Sequence, residues 1–536
     1  MLVFAVLGCM ASCAPSAADP GQTAEPSASV LPTASVLPTV TVTLPEPTGP
    51  NPYTDGIKIG TFLGNQTRNF YGVGPVPETL EVIWRASIGS GTTGGTSKSN
   101  GGLVTWSGTG WTGQPALVRE NGHLYLIVGG FDHNLVKIDA ETGEELWSYE
   151  FPDVIKGSPT VFRMPGTNRL AVVCGSRRGF PSSISSSSIA PVRCVDFETG
   201  QELWRLTAPV TRSYSRDADS SPILIGDTLY VLLETGAVYA VDPTRTEERN
   251  GYQWPVILAE QTLLGDSRAS SHGGNLVLEA SPMVLGDVIY AASGSGHVYG
   301  MKLDTLEIVW DYFTGTDIDG TPAATSDGFI LQAVERQYIA GNGGVLKLDP
   351  RKDPADATVW FFPTGNRTFG DWQGGVIGSV SVNDGYGNAA DRPALCAFTA
   401  IDGKLYIVSQ DETDGTATPP QGGDAVPVPI VVFKDGIGGA ISTPIFVDNY
   451  VIACGYDATL HVYRINYDAE EGVVLADRSG NPHTVAVTEV ASFASGGSYE
   501  STPIVWQGRI YIGSRDGSFY CLGDPDYVAP TVGEEP

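Results

Sequence analysis

Ser281-Pro282-Met283-Val284-Leu285 is a short apolar run, Gly286-Asp287 turns it, and Val288-Ile289-Tyr290-Ala291-Ala292 runs back. Ser293-Gly294-Ser295-Gly296 turns again into His297-Val298-Tyr299-Gly300-Met301-Lys302-Leu303. Asp304-Thr305-Leu306 then leads to Glu307-Ile308-Val309-Trp310. Four short runs separated by tight turns read as a four-stranded antiparallel sheet. Glycine supplies the positive φ that hairpins need, and aspartate ties its carboxylate to nearby amides. No sustained 3.6-residue apolar period is visible, so the chain is expected to be all-β.

The unit recurs. A polar cue followed by proline opens an apolar run at Gln114-Pro115, Ser158-Pro159, Ser221-Pro222, Ser281-Pro282, Thr321-Pro322, Arg392-Pro393, Thr443-Pro444 and Thr502-Pro503, with successive prolines 40 to 71 residues apart. The turn and final strand return as Asp139-Ala140-Glu141-Thr142-Gly143-Glu144-Glu145-Leu146-Trp147 and as Asp196-Phe197-Glu198-Thr199-Gly200-Gln201-Glu202-Leu203-Trp204. A supersecondary unit at this period predicts a β-propeller of eight blades, or seven if 366–440 is irregular. The last unit, Ser501 to Gly523, lacks a fourth strand ending in Trp, whereas Thr79-Leu80-Glu81-Val82-Ile83-Trp84 has no first three strands before it. Residues 79–88 are therefore expected to supply the outer strand of the final blade and close the ring, which removes the open edges. Trp84, Trp147, Trp204, Trp310 and Trp360 are read as packing between neighbouring blades.

Composition suits an exported, rigid body. The 536 residues include 66 Gly and 37 Pro, and 41% are hydrophobic, enough for a sizeable core. A formal charge of −29 argues against nucleic acid and anionic lipid surfaces as partners. Residues 1–12 form an apolar run ending in small residues, read as a signal-peptide remnant, although no Lys or Arg precedes it. Met10-Ala11-Ser12-Cys13 has the pattern of a bacterial lipobox with Cys13 as the acylated residue; Val6-Leu7-Gly8-Cys9 is the alternative. Residues 13–52 are rich in Pro, Ser, Thr and Ala, with the direct repeat Ala28 to Thr33 and Ala34 to Thr39, and are expected to form a disordered tether. At roughly 3 Å per residue it would reach on the order of 100 Å from a membrane. Residues 53–524 are then one propeller domain, and 525–536 a disordered tail.

Site candidates are few. Cys174 and Cys194 fall on the second and third strands of one blade, and offer either a disulfide in an oxidising compartment or two buried thiols acting as small hydrophobes. The six histidines are scattered, with no two at metal-ligand spacing. Three residues before the opening prolines stand Asp219, Glu279, Asp319 and Glu500, with Lys156 at the equivalent place in another blade and Asp217 and Asp317 nearby. First strands line the axis of a propeller, so these side chains would form a ring at one mouth. Crowded carboxylates raise one another's pKa or recruit a cation, and clustered oxygens suit calcium; a wide, solvated mouth where they never meet is the bland alternative.

The repeat resembles the PQQ-type propeller repeat, best seen from Leu124 to Trp147, and the resemblance spans roughly residues 79–524. One branch of that superfamily is the quinoprotein alcohol and glucose dehydrogenases. The other is a non-enzymatic group typified by the BamB-like lipoprotein of the outer-membrane β-barrel assembly machinery. The enzyme branch implies pyrroloquinoline quinone and calcium in the axial funnel, with the quinone between a Trp floor and a disulfide of adjacent cysteines. Trp372 in Gly370-Asp371-Trp372-Gln373-Gly374-Gly375 is similar to that floor residue, but the chain has no adjacent Cys pair and no Cys-x-x-Cys-His haem motif. The resemblance therefore implies a non-enzymatic, lipid-anchored, extracytoplasmic scaffold with no organic cofactor. It would bind a protein or envelope polymer through the loops 179–190, 244–276, 366–392 and 411–427. The alternative is a calcium-dependent quinoprotein dehydrogenase with an atypical site. A sugar-active enzyme would need paired carboxylates on the axis.

Overall fold

The computed structural model describes residues 35–36, 56–94, 102–111, 113–179, 183–186, 188–265, 272–386 and 391–528. Within them are eight sheets, in each of which three successive antiparallel strands follow in chain order from the axis outward, an eight-bladed propeller. Blades 1 to 7 begin with the axial strands Ala116–Glu120, Thr160–Arg163, Ile223–Ile225, Met283–Leu285, Ala323–Ala324, Ser381–Val382 and Ile445–Val447. Blade 8 has Ile504–Trp506, Arg509–Gly513 and Ser518–Gly523, and its fourth strand is Glu81–Ser87, paired Cys521 to Trp84 and Phe519 to Ala86. The chain's early strand thus closes the ring. A two-stranded hairpin, Ser90–Gly94 with Leu103–Ser107, links that strand to blade 1.

The tryptophans stitch blade to blade. The indole N–H of Trp84, Trp147, Trp204, Trp310 and Trp360 each donates to a carbonyl of the next blade, at Ala140, Phe197, Pro243, Lys352 and Gln410, over 2.8–3.0 Å. The Asp-x-x-Thr-Gly turn provides the matching surface. Asp139 Oδ1 accepts from the amides of Glu141 and Thr142, which curls the chain. Gly143, at φ +77°, then lies flat on the Trp84 ring, where a Cβ would come within 2.7 Å. Only glycine allows both that φ and that approach.

The polar cue before each opening proline has its own task. The amides of Gln114, Ser221, Ser281, Thr321, Ser379 and Thr443 donate to the hydroxyls of Ser158, Ser281, Thr321, Ser379, Thr443 and Thr502 in the following blade, at 2.9–3.4 Å. The result is a hydroxyl belt around the axis. It corrects one opening: Arg392-Pro393 precedes the second strand of blade 6, Leu395–Thr399, whereas the axial strand follows Ser379 and has no proline. The belt needs the hydroxyl and not the ring. Thr321→Val keeps the shape and orphans the buried Ser281 amide, so chemical denaturation should register a loss of about 1–3 kcal/mol.

Residues 56–73 plug the other side of this belt. Their carbonyls accept from the axial strands: Gly56 from Arg119, Gly60 from Val161, Gln66 from Val284, Thr67 from Ala324, Tyr71 from Val505 and Val73 from Gln507. Fully buried Arg68 donates to Thr61 Oγ1 at 2.9 Å, to Pro282 O at 2.8 Å and to Phe62 O. Gln114 joins plug to ring, accepting from Leu63 N and donating to Pro503 O.

Of the two readings of Cys174 and Cys194, a disulfide or two buried thiols, the structure excludes the first: both are free, buried thiols. The register sets Val173 opposite Cys194 and Cys174 opposite Arg193, so the two side chains leave opposite faces of the sheet and enter different cores. The segments 244–262 and 411–417 are not loops but overlong strands. Ala237–Arg249 pairs with Tyr252–Thr262, and Lys404–Ala417 with Val426–Gly436. Ser35–Val36, inside the segment read as a tether, pair with Thr413 and Glu412 at the edge of blade 6. Cys13 lies outside the described residues, as does most of 1–55. Among the described residues no helix is long and apolar enough to cross a membrane.

Candidate functional site

The acidic residues gather at the axial mouth opposite the plug. They come from two equivalent positions per blade. One stands two residues before the belt position and is filled, from blade 2 to blade 8, by Lys156, Asp219, Glu279, Asp319, Ile377, Ile441 and Glu500. The other opens the turn between the second and third strands, and carries Phe131, Arg177, Glu234, Gly294, Glu335, Ile401, Tyr456 and Arg515 in blades 1 to 8. The mouth is therefore two-sided: charged over blades 2 to 5, apolar over blades 6 and 7.

On the charged side, Asp219, Glu234 and Glu279 place carboxylate oxygens within 4.8 Å of one another, and so do Asp317, Asp319 and Glu335. Lys156 Nζ bonds Asp219 Oδ2 and lies 3.6 Å from Glu279 Oε2. Arg177 neutralises Asp217 at 2.8 Å, and Asn275 donates to Asp317 Oδ2 at 2.7 Å. Burial pushes the Glu279 carboxyl up to about 8, against the pull of Lys156 and helped by Asp319 and Asp219. Burial lifts Asp317 to about 7, with Glu279 adding to it, and lifts Asp319 to about 7, with Asp317 adding to it. Glu234 and Glu335 are raised well above the usual carboxylate range by burial and by the carboxylates beside them. Lys156 is largely withdrawn from water too, which works against its charge, yet Asp219 and Glu279 outweigh that and hold the ammonium well above its ordinary value.

Three of the four carboxylates expected on the axis are thus in one patch: Asp219, Glu279 and Asp319, with Lys156 among them. Glu500 is elsewhere. Ile377 and Ile441 separate it from the patch, and it pairs with Arg515 at 2.6 Å and accepts from Tyr456 Oη at 2.8 Å. Glu234 and Glu335 were not anticipated. Their signal was a Glu placed directly after a buried second strand, at a turn position that no other blade fills with an acid.

The apolar side contains Trp111, Ile377, Ile401 and Ile441, with Phe369, Trp372 and Tyr456 packed on them. Trp372 stacks on Trp111 at 6.3 Å and 17°, and Lys156 sits 5.4 Å above the Trp111 ring. Trp372 is accordingly an axial residue, not one wedged between blades. These residues do not fit a sandwiched quinone: the ring of Trp372 packs on Trp111, and no adjacent cysteine pair exists to cover the other face of a cofactor.

The chain can now be set beside known proteins. The family model described as outer membrane protein assembly factor BamB matches residues 77–255 and 189–352. An uncharacterized protein of Rickettsia prowazekii (strain Madrid E) is 24% identical over 229 residues, 42% of this chain and 48% of the relative. The chain thus spans about half the length of that curated relative. Among solved structures, BamB from Moraxella catarrhalis is 13% identical, with a TM-score of 0.44 over 77% of this chain and 95% of its own. The quinohemoprotein alcohol dehydrogenase from Comamonas testosteroni is 14% identical, with a TM-score of 0.51 over 89% and 82%. At such identities the likeness to the dehydrogenase is one of fold alone.

Proposed function

The chain belongs to the family described as outer membrane protein assembly factor BamB, and from that premise we propose that it is a non-enzymatic scaffold of the cell envelope, held by a lipid on Cys13 and binding a protein or envelope polymer partner. The observation that carries the reading is the blade 3 hairpin. Its strands Ala237–Arg249 and Tyr252–Thr262 run past the end of the neighbouring sheets and hold Tyr252 exposed at the tip, with Ile257 and Leu258 exposed at the base of the extension. A groove beside it, lined by Leu206, Pro209, Tyr239, Trp254 and Ile257, continues the apolar surface. Exposed apolar side chains on a rigid, paired extension are a binding surface whose ordering cost is already met by the fold.

The test is photo-crosslinking in cells with a benzophenone residue at Tyr252 or Leu258. A discrete adduct with one envelope partner, absent when the residue is placed at Glu141 on the outer turn of blade 1, supports the scaffold. No adduct from either position counts against it. Anchoring is tested separately. Cys13→Ala should abolish palmitate labelling and move the protein from the membrane to the soluble fraction, because acyl chains supply the membrane affinity.

A further inference from the structure

We propose that Asp219, Glu234 and Glu279 form a binding site for one hard divalent cation, calcium or magnesium, at the axial mouth. This goes beyond the scaffold reading and does not depend on it. Two oxygens, Asp219 Oδ1 and Glu234 Oε1, are buried with no hydrogen-bond partner, on side chains only 1% and 3% exposed. The second oxygen of each is engaged: Asp219 Oδ2 with Lys156, and Glu234 Oε2 with the Ser215 hydroxyl. A buried, unpaired carboxylate oxygen is costly, and two of them on carboxylates that come within 4.8 Å of each other and of Glu279 call for a positive charge.

Lys156 does not fill that role. It serves one oxygen of Asp219 and lies at 3.6 Å from Glu279, which leaves three carboxylates against a single ammonium. Once Glu234 and Glu279 give up their protons to an incoming ion, the excess of two negative charges is what a divalent ion balances. The donor set is oxygen alone, which selects calcium or magnesium over zinc or copper. The neighbouring trio Asp317, Asp319 and Glu335 is the weaker site, because Asp319 and Glu335 already share a hydrogen bond between their carboxyls and Asp317 accepts from Asn275. That trio instead adds negative potential beside the ion.

The test takes the full chain, stripped with a chelator, and titrates it with calcium and separately with magnesium by calorimetry. One ion per chain is expected, with a rise in melting temperature as the ion binds the native state alone. Glu234→Gln and Glu279→Gln should each weaken binding at least about tenfold, since each removes a charged ligand. Glu489→Gln, an exposed acid on blade 7, should change nothing. Terbium gives a second readout: bound beside Trp111 it should emit on indole excitation, and Trp111→Phe should dim that emission without changing the affinity. If one ligand variant fails to fold, the other still decides. The proposal is overturned if the stripped parent takes up neither ion below about 10 mM, or if uptake is the same in every ligand variant that folds.

Discussion

Lys156→Met is expected to destabilise the propeller by about 3–5 kcal/mol at pH 8, the cost of breaking a buried ion pair by removing one partner. Lys156 is the ammonium that serves the Asp219 and Glu279 carboxylates, and its side chain is only 15% exposed against none for Asp219. Methionine fills much of the same space, so the loss reports charge more than packing. The sign of the pH dependence follows from the acids. Glu279, Asp317 and Asp319 titrate at about 8, 7 and 7 in the folded protein, above the ordinary carboxylate range of the unfolded chain. Between about pH 4.5 and 8 the native state therefore holds protons that the unfolded chain has released. Stability from these groups is present below the unfolded values and is lost as pH rises through the folded ones, at about 1.4 kcal/mol per pH unit for each proton retained. The parent's melting temperature should fall from pH 5 to pH 8, the reverse of a protein whose carboxylates are salt-bridged. The Lys156→Met deficit should be largest at pH 8 and shrink toward pH 5. Thermal melts of both proteins across that range check it; a deficit that is flat with pH would show that Lys156 acts through packing and not through the carboxylates.

The architecture was legible because its repeat is written in local chemistry. Turn glycines and turn aspartates shape the chain within a few residues, and the tryptophan recurs at one fixed offset from them, so their spacing carries the blade boundaries without knowledge of distant partners. Blade 6 was misread for the complementary reason. Its axial strand opens at Ser379 without proline, and the visible Arg392-Pro393 belongs to the next strand. The requirement that recurs from blade to blade is a hydroxyl accepting across blades, a demand that proline only accompanies. Most of the acidic patch was legible for the same cause, because Asp219, Glu279 and Asp319 share one offset from the opening cue and Asp317 stands two residues before one of them. Glu234 and Glu335 occupy a second offset, counted from the end of a different strand, and only the closed ring brings the two sets together. Glu500 satisfied the first offset and still left the patch, since Arg515 two strands later in the same blade captures it. An offset names a position on the ring; the neighbours around the ring decide what that position does.

The plug had no signature at all, and it carries the second large expected effect. Removing residues 1–88 should leave a chain without a cooperative unfolding transition, whereas removing 1–55 should change stability by less than about 1 kcal/mol, the range of surface changes. Two structural losses combine in the longer deletion. Without Glu81–Ser87 the outer edge of Ser518–Gly523 is unpaired, and Trp84 no longer covers Tyr511 and Phe519 or bonds Ala140 across the seam between blades 8 and 1. Loss of a buried Trp alone is worth about 3–5 kcal/mol. Without 56–73, the axial amides of Val161, Val284, Ala324 and Val505 lose their acceptors, and the carbonyls of Ser221 and Pro282 lose the Arg68 donor. Each orphaned group costs about 1–3 kcal/mol, so together with the Trp loss the sum is as large as the 5–15 kcal/mol that holds a typical domain together. The exposed edge also invites pairing with another chain, so soluble oligomers or aggregates are the expected product. Light scattering and calorimetry on the two truncations make the comparison, and a peptide of residues 56–88 added during refolding should restore a monomer with a sharp transition. A monomeric 89–536 chain that melts like the parent would mean that the ring holds itself shut through the seam between its first and last blades, with plug and closing strand as mere additions to it.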